Sequence, residues 1–292
     1  MAKIACFVEK YNFVESREIE ALESFKTVAE RLDHEFDFMF RKDISLIPKY
    51  DAVFIRATTD PLFTAYVVSK TAWEYGLRVI DDPKSIQICA NKIHQYRLFE
   101  KFNIPHIPTV FLNKEEFHHK QILDIFEDFG KPVVLKAPYT SFSRYVEKVA
   151  CEASFRDVAR RFFRKSDILA VQKFMPSSFD WRVGVLNGEV LYVCKYMMPK
   201  GKWKHGAKRR GKPSFVWGRT ISLKRENAPI KLKENALSAC EIIGRGLYGV
   251  DLKEIKGDYV VVEVNDNPSI YRGFEDFRNR DIYGRIIAYL AG

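Results

Sequence analysis

The 292-residue chain is 47% hydrophobic, enough for a sizeable buried core, which excludes a largely disordered protein. Its formal net charge of +10 points to an anionic partner, without saying whether that is a nucleotide, an acidic peptide or a nucleic acid. No apolar run approaches the roughly 20 residues of a membrane span, and the five cysteines, Cys6, Cys89, Cys151, Cys194 and Cys240, form no C-x-x-C pair. The N-terminus runs straight into a strand-like pattern with no signal-peptide organisation. Together these features favour a reducing cytoplasm, with the thiols serving as small hydrophobes.

In chain order, the pattern predicts a strand over residues 3–8 and a helix over 16–32, with Ile19, Leu22, Phe25, Val28, Ala29 and Leu32 on its apolar face. Strands at 34–40 and 50–56, a helix over 64–75 ending at Gly76, and a short strand at 77–80 follow. Strand alternating with helix reads as a parallel, doubly wound α/β domain. Asp81-Asp82-Pro83 breaks the pattern and sets the first boundary, giving an N-terminal domain of residues 1–84. A single helix is expected from Ser85 to Phe102 with Lys92 in its middle, then an extended link over 104–109 and a helix over 120–129. A strand over 131–137 carries Lys136, and a loop at 138–144 leads to a strand at 145–149. A helix over 154–164 and an apolar strand over 168–174 precede Met175-Pro176. Strands 181–186 and 189–196 meet at Asn187-Gly188, a strong two-residue hairpin signal. A basic stretch over 200–212, K-G-K-W-K-H-G-A-K-R-R-G-K, and a final helix over 281–290 complete the pattern.

Residues 249–268 read G-V-D-L-K-E-I-K-G-D-Y-V-V-V-E-V-N-D-N-P, two β-branched runs around Lys256-Gly257-Asp258. A turn centred on Gly257 places Asp251 opposite Glu263. Like charges directly opposed on a sheet are destabilising, and a divalent cation between them would remove the conflict. Asn265, two residues beyond Glu263, adds an oxygen on the same face. Three hard oxygen ligands suggest Mg²⁺, with Mn²⁺ as a substitute. The competing reading is a solvated hairpin: a shift of one residue in the turn sets Asp251 opposite Val264 and sends Glu263 to the other face.

The ordered set Lys92, Val133-Val134-Leu135-Lys136, Val171-Gln172-Lys173-Phe174-Met175, Asp180-Trp181-Arg182-Val183, Gly249-Val250-Asp251-Leu252 and Val262-Glu263-Val264-Asn265-Asp266-Asn267-Pro268 resembles the ATP-grasp superfamily. Within it, the resemblance is to the RimK-like glutamate ligases. Residues 51–59 and 79–92 are similar as well, so the resemblance covers the chain from about residue 50 onward. It implies an ATP-grasp fold, α/β overall and α+β in the ATP-binding part, behind an N-terminal doubly wound pre-ATP-grasp domain. Residues 85–175 would form the central subdomain with its lid, and 176–292 the C-terminal subdomain carrying the metal site. ATP would be clamped between two sheets, a carboxylate activated as an acyl phosphate, and that intermediate attacked by an amine or thiol.

The resemblance also implies roles for individual residues. Asp251 and Glu263 would bind Mg²⁺, with Glu263 bridging two ions and Asn265 completing the second site. Lys92 and Lys136 would reach the nucleotide phosphates. A lone lysine is more often a solvated surface residue, but Lys136 sits in an apolar strand, where an unpaired ammonium is costly and an anion relieves it. Gln172, Lys173, Phe174 and Met175 would lie along the adenine, with Lys173 standing where the family commonly has glutamate, and Asp180 would meet the ribose. The phosphate-covering loop has no glycine over 139–145, so Thr140, Ser141 and Ser143 would donate hydroxyl hydrogen bonds in place of backbone amides. Lys204, His205 and Gly206 would approach the nucleotide, and Lys208, Arg209 and Arg210 the substrate. Gly206 replaces a frequent asparagine.

Arg182 follows Asp180 by two residues on the same strand face, and a planar guanidinium can hold a carboxylate or acyl phosphate through two hydrogen bonds. The plainer reading pairs it with Asp180. Lys195, on the partner strand, would do similar work. Ser269 and Arg272 offer a further anion site, or a simple capping turn. Two functions stay open on the sequence: an ATP-dependent carboxylate–amine ligase adding glutamate or another amino acid to a peptide, protein or small acid, and a nucleotide- or RNA-binding protein that keeps the fold without ligation. The first requires a carboxylate substrate and an amino-acid or peptide acceptor of acidic character, and leaves room for a homo-oligomer. The second rests on the basic stretch with Trp203 interleaved, where stacking and phosphate pairing suit RNA.

Overall fold

The computed structural model describes residues 1–139, 144–208 and 215–292. It opens with β1 (Lys3–Phe7), α1 (Ser16–Arg31), β2 (Glu35–Met39), β3 (Ala52–Ile55), α2 (Thr64–Glu74) and β4 (Arg78–Ile80). The strands form a parallel sheet in the order β2-β1-β3-β4. A parallel sheet is covered on both faces, and β1 and β3 are apolar on both. Ile4, Cys6 and Phe54 pack with Leu22 and Phe25 of α1, while Phe7, Val53 and Ile55 pack with Ala65 and Val68 of α2. A 3₁₀ stretch at Arg41–Lys49, absent from the sequence reading, links β2 to β3.

The helix expected over 85–102 is two helices, α3 (Pro83–Ala90) and α4 (Lys92–Lys101). Asn91 between them is extended, at φ −109° and ψ 99°, and its side chain accepts from the amides of Ile93 and His94. That cap replaces the helical bonds lost at the break and makes Lys92 the first residue of α4 rather than a mid-helix residue.

A second sheet follows from β5 (Thr109–Asn113), α5 (His119–Phe129), β6 (Val133–Lys136), β7 (Val146–Val149), α6 (Glu152–Phe162) and β8 (Ile168–Lys173). It is antiparallel in the order β5-β8-β6-β7. Leu112, Val133, Leu135 and Val171 pack on Ile122, Phe126, Phe155 and Phe162 of α5 and α6. The strand alternation therefore sends Val134, Lys136 and Gln172 to the opposite face.

The third sheet combines β9 (Phe179–Leu186), β10 (Glu189–Met197), β13 (Thr220–Leu223), β14 (Leu247–Ile255) and β15 (Asp258–Asp266), in the order β13-β10-β9-β14-β15. A ribbon of β11 (Gly206–Lys208) and β12 (Phe215–Trp217) precedes β13, and α7 (Ile230–Glu241) precedes β14. The Asn187-Gly188 turn forms as expected, with both residues at positive φ, +50° and +77°. Trp181, Val183, Val250, Leu252 and Val261 share one core with Leu232 and Ala236 of α7 and with Tyr96 and Phe99 of α4. The helix pair that precedes the second sheet in the chain thus packs on the third.

β15 is an edge strand, and exposed edges are a pairing hazard. Here the edge is covered. The Gln95 carboxamide donates to the carbonyl of Val264 at 2.8 Å and accepts from its amide at 2.7 Å. Further along, the Val261 amide donates to the Pro105 carbonyl at 2.8 Å and the Ile107 amide to the Val261 carbonyl at 3.1 Å.

The last helix, α8 (Ile282–Ala291), returns to the N-terminal sheet. Tyr283 meets the ring of Phe25 edge-on at 4.8 Å, and Ile282, Ile286, Ile287 and Leu290 join the core of β1 and β3. The C-terminal segment is therefore a structural layer of the N-terminal sheet. Ile286→Ala should cost about 2–5 kcal/mol in urea unfolding and reduce hydrogen-exchange protection in β1 and β3 before β14 and β15; an equal loss of protection in both sheets would contradict this placement.

Candidate active site

The turn between β14 and β15 holds two residues, Lys256 and Gly257, at φ +52° and +86°. It is one residue tighter than a turn centred on Gly257, and the ladder near it pairs Ile255 with Asp258 and Leu252 with Val261. Continued unbroken, that register would set Asp251 against Val262. A bulge at Val262 absorbs one residue, and Asp251 lies opposite Glu263 after all, with Asn265 opposite Gly249. The three candidate ligands share one face, and the shifted register that would have separated them is not adopted.

On its other side β14 pairs with β9, and Asp251 lies opposite Arg182. Arg182 Nε donates to Asp251 Oδ1 at 2.7 Å and Nη2 to Oδ2 at 2.9 Å. The plainer expectation for Arg182, a pair with Asp180, is thus corrected. Asp180 is taken instead by Lys253, whose Nζ lies 2.5 Å from Asp180 Oδ1 and also donates to Ser177 Oγ. Asn265 Nδ2 donates to Asp251 Oδ2 at 3.3 Å.

Lys92 and Lys136 converge on the same place from the facing elements. Only 7% and 5% exposed, they are not solvated surface lysines. Lys92 Nζ is 3.8 Å from Glu263 Oε2. Lys136 Nζ donates to the hydroxyl of Tyr96 at 3.0 Å, and that hydroxyl donates to the Val262 carbonyl at the bulge. Burial lowers the pKa of both lysines, against the pull of Glu263. Burial also pushes the Asp251 carboxyl up to about 6, although Arg182 beside it pulls the other way. For Glu263 burial is outweighed by Lys92, Lys136 and Arg182, and its carboxyl falls below the usual range. Two carboxylates on one face thus sit in environments that drive their pKa values apart.

Two carboxylates and one carboxamide oxygen are a hard donor set. Among the described residues no group of three or more His, Cys, Asp or Glu side chains is arranged for a metal. Two carboxylates and a carboxamide oxygen match the chemistry of Mg²⁺, which takes one or two carboxylates from a protein and draws its remaining oxygens from water and substrate phosphates.

Gln172 is buried on the cleft side of the second sheet, donating to Thr109 Oγ1 at 2.9 Å. The residues after it reach across the cleft. Phe174 meets Trp203 edge-on at 6.0 Å, Lys148 lies 4.5 Å over the Phe174 ring, and Lys204 Nζ donates to the Val146 carbonyl at 2.6 Å. Lys173 and Met175 flank Phe174 and are half-buried. Burial brings Lys204 down to about 8. His205 stacks on Tyr196 at 4.6 Å, and Arg182 lies 5.0 Å over the same ring. Gly206 has a structural reason for lacking a side chain, since a Cβ there would fall 2.4 Å from the Trp217 ring.

Lys195 does not join this group. It lies opposite Trp181 in the ladder and sits over the rings of Phe179 and Trp181 at 4.2 and 4.5 Å, on the face of the sheet away from Arg182. The expected catalytic role for Lys195 is corrected on that ground. Arg272 pairs with Asp276 at 3.0 Å, and the Ser269 carbonyl accepts from Tyr192. Thr140, Ser141, Ser143, Arg209 and Arg210 lie outside the described residues, as does the side chain of Lys208.

Sequence reasoning missed Tyr96, Lys253, Tyr196 and Glu275. Tyr196 donates to Glu275 Oε1 at 2.6 Å, and Glu275 is 1% exposed. Each appears in the sequence as an ordinary aromatic or charged residue. Only strand alternation from Arg182 and Asp251 could have pointed to Tyr196 and Lys253.

The model for the RimK-like ATP-grasp domain matches residues 89–290. A probable α-L-glutamate ligase of Vibrio vulnificus is 24% identical over 247 residues, spanning 84% of this chain and 77% of that protein. The glutamate–LysW ligase ArgX of Sulfolobus acidocaldarius is 25% identical over 248 residues, 83% of this chain and 82% of its own length. The crystal structure of a RimK-domain ATP-grasp protein from Sphaerobacter thermophilus superposes with a TM-score of 0.71 at 19% identity, covering 100% of both chains. The three sheets are therefore an ATP-grasp fold, and the chain belongs to the RimK-like ATP-grasp family as an ATP-dependent ligase that forms carbon–nitrogen bonds.

Proposed function

We propose that this ligase joins a carboxylate to an amino-acid or peptide amine through an acyl phosphate, with Asp251, Glu263 and Asn265 holding Mg²⁺. The observation that carries the reading is the convergence of Asp251, Glu263, Asn265 and Arg182 with two buried lysines on one cleft. When bound, the metal would supply charge neutralisation for the triphosphate. Lys92 and Lys136 would place their ammonium groups against the phosphates, and the cost of burying them is offset when an anion arrives. Gln172 to Met175 would line the adenine, Asp180 the ribose, with Lys253 fixing the Asp180 carboxylate.

The γ-phosphoryl group passes to a carboxylate oxygen, releasing ADP. The amine then attacks the acyl carbon, phosphate leaves, and the nitrogen loses a proton to give the amide. Arg182, packed on Tyr196, would hold the reacting carboxylate in a fixed plane. The glutamate ligases among the relatives support glutamate or a similar amino acid as one partner. Among the described residues no helix is long and apolar enough to cross a membrane.

Glu263→Gln keeps the size of the side chain and removes its charge. ADP release should fall on the order of 100-fold or more with the thermal unfolding midpoint within a few degrees of the parent. Retained turnover in the folded variant would remove Glu263 from the metal.

Asp251 must be ionised to take part, and its carboxyl titrates at about 6 in the folded chain. The group is charged above that value and neutral below it, so Mg²⁺-dependent ATP binding should weaken as pH falls through about 6. Arg182 pulls this pKa down, so Arg182→Gln should shift the acidic limb to higher pH. A limb that stays in place would separate Asp251 from the binding step.

A further inference from the structure

A cavity of about 880 Å³ opens on the outer face of α3 and α4. Gln87, Asn91, His94, Leu98 and Lys101 line it at alternating four- and three-residue steps, one continuous stripe that persists across the break at Asn91. The β3–α2 loop closes one side with Asp60, Pro61 and Leu62, and Pro138 and Tyr139, just after β6, line the other.

Two properties set this surface apart. Lys84, Lys101 and Lys165 line it against the single acid Asp60, and none of the three lysines makes an ion pair among the described residues. Leu62, Phe102 and Tyr139 are 91%, 50% and 56% exposed, so three large apolar groups stand in water around the same opening. Clustered exposed apolar surface beside uncompensated charge marks an interaction site.

The groove backs directly onto the catalytic cleft. Asn91 Nδ2 donates to the Tyr139 hydroxyl at 2.8 Å on the groove side, while the next residue, Lys92, donates its amide to the Pro138 carbonyl and turns its ammonium to Glu263. The wall between the two spaces is one residue thick along the chain.

We propose that this groove docks an acidic polypeptide segment carrying a bulky apolar residue, and that the segment belongs to the acceptor whose amine is ligated. The assignment of the segment as acceptor rests on the ligase reading above; the binding of the segment does not. Carboxylates of the segment meet Lys84, Lys101 and Lys165, and its apolar side chain covers Phe102 and Leu62. A free amino acid is a poor match, because it would leave most of a space near the upper end of the roughly 300–1,000 Å³ of ligand pockets unfilled.

The test is fluorescence anisotropy of a labelled eight-residue glutamate-rich peptide with one central phenylalanine, titrated with the full chain in the absence of nucleotide. Saturable binding is expected, weakening with salt, and falling about tenfold or more in Lys84→Glu/Lys101→Glu and again in Phe102→Ala. ADP release with free amino acids should remain at the parent level in these variants, which separates failure of docking from failure of the ligase. The proposal is overturned if the peptide does not bind, or if the variants bind it as the parent does. It also fails if free glutamate competes at concentrations comparable to the peptide, which would make this a small-molecule site. Loss of a concentration-dependent dimer in the charge-reversed variant, without change in peptide binding, would assign the face to a second copy and overturn it as well.

Discussion

The structure turns on a conflict of charge. Asp251 and Glu263 oppose each other across two strands of one sheet, where opposed side chains stand about 5 Å apart. At an effective dielectric of about 20, two like charges at that separation repel by roughly 3 kcal/mol. The fold meets this with cations on three sides: Arg182 from the next strand, Lys92 from the start of a helix, and Lys136 from the facing sheet. The result is unequal. Arg182 serves Asp251 directly but burial still dominates there, whereas Glu263 is held ionised by the two lysines.

That arrangement depends on one extra residue. The tight Lys256-Gly257 turn sets a register that would leave Glu263 on the wrong face, and the Val262 bulge corrects it. The bulge is itself fastened, since the Val262 carbonyl accepts from Tyr96, which in turn accepts from Lys136. The same buried tyrosine therefore anchors the register of the acidic pair and the position of a facing cation. Gly249 completes the fit: a Cβ there would come within 2.7 Å of Pro268 and 2.8 Å of Arg182 Nη1, displacing the guanidinium from Asp251.

Local pattern carried much of this. The strand and helix order through β10, the Asn187-Gly188 hairpin and the pairing of Asp251 with Glu263 were legible, the last because the carboxylates, the turn glycine and the β-branched runs lie within twenty residues, whereas β11 to β13 and α7 were not anticipated. The reasoning for that pairing was incomplete, because a bulge leaves no mark in a run such as Val260-Val261-Val262. The break at Asn91 was missed because no glycine or proline announces it; an asparagine that caps its own successor does the work. Contacts between distant segments were least visible. Whether Arg182 chooses Asp180 or Asp251 is decided by which strand lies beside β9, and Lys195 differs from Arg182 only in facing the other side of the sheet. Asp81, which marks a boundary in the sequence, is a fully buried acceptor for the amides of Leu247 and Asn267, 166 and 186 residues away.

Those last contacts fasten one wall of the cleft from behind. The loop after β15 is held from the ends of β3 and β4 by Asp81 and by Arg56, whose guanidinium donates to Asn267 Oδ1 at 2.7 Å and to the Pro268 carbonyl at 3.0 Å. Arg56 and Asp81 are buried, and water does not compete for these bonds. Among the described residues, the side-chain ties of the opposite wall include Lys136 on Tyr96 of α4, Lys204 on the Val146 carbonyl and the Phe174–Trp203 contact. Lys136 and Lys204 are ammonium groups with lowered pKa values on neutral oxygens, weaker partners than a phosphate. On the proposed reading a triphosphate would take over the very cations that span the cleft, so nucleotide binding exchanges one set of cross-links for a stronger one while the metal-bearing strands, fixed from behind, keep their place.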